Sequence, residues 1–264
     1  MNEPSGDRDL DLLVVVKAYP TATEFGEAVC VAAIDTTTEV PEWVRLFPIE
    51  FRDLPWEQRF KKYQRIKLVA SRGVDSRPES WVPDADTLEI GEYLSAADGW
   101  RRRRAALERL RVYTMCELQR AQASDGTSLG MVITDGVPDL TREERPADEI
   151  AAKQRELAQA RIALGSSAHS KLSALEQFPY RVKYKWSCGA TCGGHEQSII
   201  DWELVQAWRS WRSKYNESEL WDKIEEKWVR QMFASGRRTY LYCGNMARYQ
   251  ASFLVLGVFW PPAA

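Results

Sequence analysis

Two cysteines and a histidine fall within eight residues in the stretch Trp186-Ser-Cys188-Gly-Ala-Thr-Cys192-Gly-Gly-His195-Glu-Gln. Thiolate sulfur and imidazole nitrogen are the usual protein ligands of zinc, and a glycine-rich knuckle lets the backbone curl round an ion. Cys188-x3-Cys192-x2-His195 supplies three ligands, and no second Cys/His pair follows at short spacing. The fourth is open among Cys243, His169, Cys116, Asp201 and water. Cys243 is favoured, because the run Thr239–Cys243 reads as a strand able to pair beside Tyr180–Trp186. A zinc ion held by Cys188, Cys192, His195 and Cys243 is expected to be structural, since no second compact ligand cluster is visible. The alternative is two free thiols and a surface histidine in a glycine loop.

The same stretch carries carboxylates. His195 with Glu196 or Glu203 forms the candidate acid/base set for metal-dependent hydrolysis, which makes a nuclease the alternative function. Asp201 and Glu203 lie two apart on a predicted helix and point to nearly opposite sides, so they are not a paired-carboxylate site. Asp201 also reads as the third residue of a capping box begun by Ser198.

Cationic residues gather in two places. Arg101, Arg102, Arg103 and Arg104 open a predicted helix, where positive charge opposes the helix dipole unless anions sit beside it. Arg59, Lys61, Lys62, Arg65 and Lys67 border a predicted small barrel. Both groups are candidate nucleic-acid contacts, and eleven tryptophans leave room for base stacking as well as for a large core. Gly126-Thr-Ser-Leu-Gly130 lacks the lysine and following helix of a phosphate-binding loop and reads as a turn into a strand.

These residues need elements to position them. The chain has 264 residues, 44% of them hydrophobic and 28% charged, the profile of a globular protein. No apolar run approaches the roughly 18 residues of a membrane helix. The acidic N-terminus lacks a signal-peptide pattern, so a cytoplasmic protein with no membrane association is expected. Five cysteines, an odd number, argue for free thiols and a metal site over a disulfide framework. Leu12–Ala18, Glu27–Ile34, Trp43–Pro48 and Gln64–Ala70 alternate or run apolar as short strands, with a brief helix over Phe51–Tyr63. They predict an OB- or SH3-like barrel over residues 10–95. A helical connector is expected over 96–179, with Asp98 and Thr114 as caps. Its last helix, 146–164, spaces Ile150, Leu157 and Leu164 by sevens, a thin stripe suited to packing on a protein partner or elsewhere on the chain. Residues 180–264 read as an antiparallel sheet with two helices and the knuckle. The fold class is therefore α+β: an N-terminal barrel, a helical middle and a C-terminal sheet.

Trp43-Val-Arg-Leu-Phe-Pro, Phe60-Lys-Lys-Tyr, Gly126-Thr-Ser-Leu-Gly, Cys192-Gly-Gly-His195, Asp201-Trp-Glu and Gly244-Asn with Leu256-Gly-Val-Phe-Trp-Pro-Pro together resemble a group of bacterial proteins of unknown function. The resemblance implies one architecture for these segments and carries no activity. From the residues, the leading expectation is a nucleic-acid-binding zinc protein, a component of a DNA- or RNA-processing or defence system. The alternatives are the metal-dependent nuclease and a zinc-stabilised interaction scaffold.

Overall fold

Five consecutive apolar residues, Leu12 to Val16, are all buried. A strand with one face in water cannot achieve that, so both faces must be covered by protein. The computed structural model, which describes residues 6–23, 26–163 and 176–263, shows how. The chain begins with β1 (Arg8–Lys17), β2 (Thr21–Thr23), β3 (Gly26–Asp35), β4 (Glu42–Ile49), β5 (Gln64–Ser71), β6 (Ser80–Pro83) and β7 (Glu89–Tyr93). There follow α1 (Ala97–Leu107), β8 (Val112–Tyr113), α2 (Met115–Asp125), β9 (Leu129–Val132), β10 (Asp135–Glu144) and α3 (Ala147–Ala163). The remainder is β11 (Tyr180–Ser187), β12 (His195–Ser198), α4 (Trp202–Trp211), α5 (Glu217–Glu225), β13 (Tyr240–Asn245) and β14 (Phe253–Phe259).

The chain divides into two units, Met1–Leu94 with Glu144–Tyr180, and Ser95–Glu143 with Arg181–Ala264. The stretch 96–179, expected as a connector, is thus shared between them.

In the first unit β1, β3, β4, β6 and β5 hydrogen-bond in that order, and β5 returns to β1 from Arg8↔Ala70 to Leu13↔Arg65, closing a five-stranded barrel. β4 and β6 run parallel, with Arg45 opposite Ser80 and Leu46 opposite Trp81. Numbered within the barrel, the order is first, second, third, fifth, fourth, which is the OB arrangement. Leu12 lies opposite Ile66 on one face of the sheet and Leu13 opposite Ile34 on the other, and all four are fully buried. β7 extends the sheet beside β5, and β2 beside β3.

Helix α3 docks on β2 and β3 of this same barrel. Leu157 is fully buried there, while Ile150 is half-buried and Leu164 lies outside the described residues. Gln154 accepts a hydrogen bond from the Gln177 amide, tying the helix to the chain that returns from it. Leu157, the middle of the stripe, therefore finds its cover within its own unit.

The second unit holds two sheets, β14-β13-β9-β8 and β10-β11-β12. Ile199 bridges them by pairing with Val255. β10 runs on to Glu144, just short of the helix expected from 146. Asp201, not Ser198, is the N-cap of α4, its carboxylate accepting from the Glu203 amide at 2.9 Å. Thr114 and Asn216 both cap helices with full capping boxes, to Glu117 and Glu219. Helix α5 continues as a π-turn over Glu226–Gln231, which leaves the Trp228 carbonyl to accept the buried Tyr184 hydroxyl at 2.6 Å. Among the described residues no helix is long and apolar enough to cross a membrane.

Leu157→Ala should lower the stability of the first unit by about 2–5 kcal/mol, the usual cost of emptying a buried leucine site. Half-buried Ile150→Ala should cost less. Denaturant unfolding measures both, and an unshifted Leu157→Ala midpoint would show that α3 does not support the barrel.

Candidate metal centre

The knuckle sits in the turn between β11 and β12, two short strands in which Trp186 opposes His195 and Lys185 opposes Glu196. The turn needs left-handed backbone at Gly189 (φ 140°) and Gly194 (φ 91°), conformations that glycine adopts without a Cβ clash. That geometry brings the Cys188 and Cys192 sulfurs to 3.2 and 3.1 Å from His195 Nε2.

A fourth donor comes from far away in sequence. Cys116, on the first turn of α2, places its sulfur 3.4 Å from His195 Nε2 and 3.8 Å from the Cys192 sulfur. The four donor atoms lie within 4.8 Å of one another and could hold a metal ion. A tetrahedral ion with metal–sulfur bonds near 2.3 Å and metal–nitrogen bonds near 2.0 Å requires donor separations of about 3.8 Å for S···S and about 3.6 Å for S···N. The observed spacings are close to these. The sulfur pair is also far longer than the roughly 2.05 Å of a disulfide, and all five cysteines are free.

The electrostatics suit a cation. Burial, and then the facing thiols of Cys192 and Cys188, push the Cys116 thiol up to about 11. Three thiolates so close repel one another unless a positive ion stands between them. Backbone hydrogen bonding at Cys188 and Gly194 lowers the Cys192 thiol, with the Gly194 amide donating to its sulfur at 3.3 Å. Burial holds His195 below the ordinary imidazole range, which favours the neutral, metal-binding ring. The Trp186 ring covers one side, its centroid 5.8 Å from that of His195.

What carries Cys116 there is a close approach. A Cβ on Gly130 would meet Leu118 Cδ1 at 2.8 Å, so only glycine lets α2 lie this near β9. Leu118 and Met115 are fully buried in that contact, and Cys116 between them is turned toward the knuckle.

The expected fourth ligand, Cys243, is not in the cluster. β13 pairs with β9 and β14 and not with β11, so Cys243 faces Gly130 and Val255 inside the core. It is fully buried and lies outside the group of donors that could hold an ion. His169 lies outside the described residues. Asp201 is committed to capping α4.

Of the acid/base candidates, His195 is a cluster member. Glu196 is held by Lys183 at 2.6 Å and Lys185 at 3.1 Å, which lower its carboxyl. Glu203 is exposed on the first turn of α4, outside the cluster.

The cationic candidates are dispersed. Asp98, Gly99 and Trp100 all have positive φ, so right-handed helix begins only at Arg101. Arg101 and Arg102 are exposed, Arg103 is buried with its guanidinium 4.7 Å from the Trp100 ring, and Arg104 is half-buried. The four do not form one face. In the first unit the Arg59 guanidinium donates to the carbonyls of Leu54 and Arg52. Arg65 and Lys67 each lie 3.6 Å from Asp11. Lys61 stands 5.6 Å from the Tyr93 ring and Lys62 5.7 Å from the Tyr63 ring.

Two family matches divide the chain. Residues 111–264 match a domain of unknown function, DUF8757, and residues 8–109 match another, DUF8758. No curated protein matches. Among solved structures, a murine DNA-binding protein with double-stranded DNA shares 10% identity, covering 97% of this chain and 100% of that one, at a TM-score of 0.33. The HINa domain of Ifi202 with a 20-base-pair duplex shares 9%, covering 98% and 100%, at 0.31. A Replication Protein A heterotrimer bound to single-stranded DNA shares 8%, covering 100% of this chain and 67% of that one, at 0.27. Likeness this slight fixes neither the fold nor the ligand of this chain.

Two substitutions separate the donor sets. Cys116→Ser should lose the bound metal on elemental analysis, while Cys243→Ser should keep it; the opposite pattern would restore Cys243 as the ligand. Gly130→Ala, which alters no donor, should speed loss of the ion to a chelator by pushing α2 off β9.

Proposed function

The chain belongs to the family of the DUF8757 domain of unknown function, and we propose that it is a nucleic-acid-binding protein whose second unit is held together by one structural zinc ion. The observation that carries the nucleic-acid reading is Trp56. It is 82% exposed in the short helical turn between β4 and β5 of an OB-ordered barrel. Large aromatic rings are seldom left so open without a partner. The turn packs against β7, whose Tyr93 is 43% exposed with the Lys61 ammonium beside its ring. Exposed rings next to a cation are what sequence-tolerant binding of single strands uses, the bases stacking and the phosphates meeting positive charge. The outer side of β3, covered by α3, is not the surface offered; the rim at Trp56, Lys61 and Tyr93 is.

Zinc is supported by the donor set. Three thiolates and one imidazole in tetrahedral spacing are a familiar structural zinc site, and four protein ligands leave no position for water or substrate. A saturated ion, with Glu196 engaged by two lysines, supports structural use over hydrolysis.

Fluorescence anisotropy with short single-stranded DNA and RNA at low salt tests the reading. Trp56→Ala should weaken binding by about 5- to 100-fold, the range of one lost stacking contact. Lys61→Ala should flatten the salt dependence. Wild-type protein that binds neither strand at low salt would overturn the proposal.

A further inference from the structure

Several cations among the described residues are paired with carboxylates. Arg52 pairs with Glu27, Lys183 and Lys185 with Glu196, and Arg230 with Glu225 and Glu226. Arg104 and Arg238 are different. Neither side chain makes an ion pair or hydrogen bond with any described residue, and both line one cavity of about 310 Å³ in the second unit. The floor is apolar, with Leu107, Met131, Tyr240 and Phe259 each less than a tenth exposed. Glu108 stands on the rim.

The cavity is built on fixed parts. Trp100 packs against Phe259 and Trp260, with ring centroids 5.8 and 5.4 Å away, and Arg103 lies over the Trp100 ring. These contacts fasten α1, and so Arg104, to the end of β14. The Arg238 amide donates to the Pro261 carbonyl at 3.1 Å, and its guanidinium sits 5.8 Å from the Tyr240 ring. Two guanidiniums without carboxylate partners, above an apolar floor, select a ligand with a dianionic head and a flat uncharged body. The volume falls at the small end of ligand pockets.

We propose that this cavity binds a mononucleotide unit. Arg104 and Arg238 hold its phosphate monoester by charge-assisted hydrogen bonds. The base lies against the apolar floor, and Glu108 accepts from the sugar hydroxyls. The site shares no residue with the Trp56 rim or the cysteine cluster, so it stands or falls apart from both.

Calorimetric titration of the full chain with AMP, ribose 5-phosphate and inorganic phosphate tests this. AMP should bind, and more tightly than either fragment. Arg104→Ala with Arg238→Ala should weaken AMP at least 10-fold with an unchanged melting temperature. Val112→Trp, which keeps both arginines but fills the space, should abolish binding. Arg248→Ala, an exposed arginine outside the cavity, and Trp56→Ala should leave it intact. A 5′-phosphorylated dinucleotide binding more tightly than AMP assigns the site to a strand end, and equal or weaker binding assigns it to the free nucleotide. No AMP binding at millimolar concentration, phosphate binding as tightly as AMP, or full affinity in either cavity variant would overturn the proposal.

Discussion

In the second unit Cys116 reaches the knuckle from far along the chain. Its sulfur and that of Cys192 are 76 residues apart in sequence and 3.8 Å apart in space. Between them the chain leaves this unit altogether to supply α3 to the other. Joining ends across so long an excursion costs entropy that grows only slowly with its length. The pairing of β9 with β13 and the burial of Leu118 and Met115 offset part of that cost. An ion in the cysteine cluster would add a second tie, where the first turn of α2 meets the knuckle.

The knuckle was legible because its signal is local: two thiols, an imidazole and flanking glycines within one turn. Cys116 was not, because a lone cysteine after Thr114 reads as part of an ordinary capped helix. What singles it out is Gly130, whose missing Cβ matters only once β9 and α2 are known to touch. Cys243 was favoured on an assumed pairing of its strand with β11, and strand order is the least local property of a sheet. Likewise β12, the polar segment His-Glu-Gln-Ser, is too short and too hydrophilic to announce a strand, yet it aims His195.

The barrel was legible as four apolar strand patterns, while its closing strand β6 was hidden in a turn-rich segment. Ser80 and Trp81 pair in parallel with β4, and no hairpin signal precedes such a contact. The heptad stripe of α3 was visible, but a stripe states only that something covers it. Charge behaved in the same way. The arginine run was plain, yet the rotation of the helix from one residue to the next divides it among an exposed, a buried and a cavity-lining role. Sequence reports how many cations there are; partners such as Glu196 and Asp11 decide which remain free.

The split of the second unit around the first also sets an order of events during synthesis. Cys116 leaves the ribosome 72 residues ahead of Cys188, a lag of roughly 4 to 14 seconds at the usual 5–20 residues per second. Helix α2 can form in that interval, since its capping box is local, but β9 has no β13 to pair with and the cluster has one donor of four. The barrel, by contrast, has all its strands once Tyr93 has emerged. Any ion at this centre is therefore loaded late, after His195, onto a chain whose first unit already has its sheet.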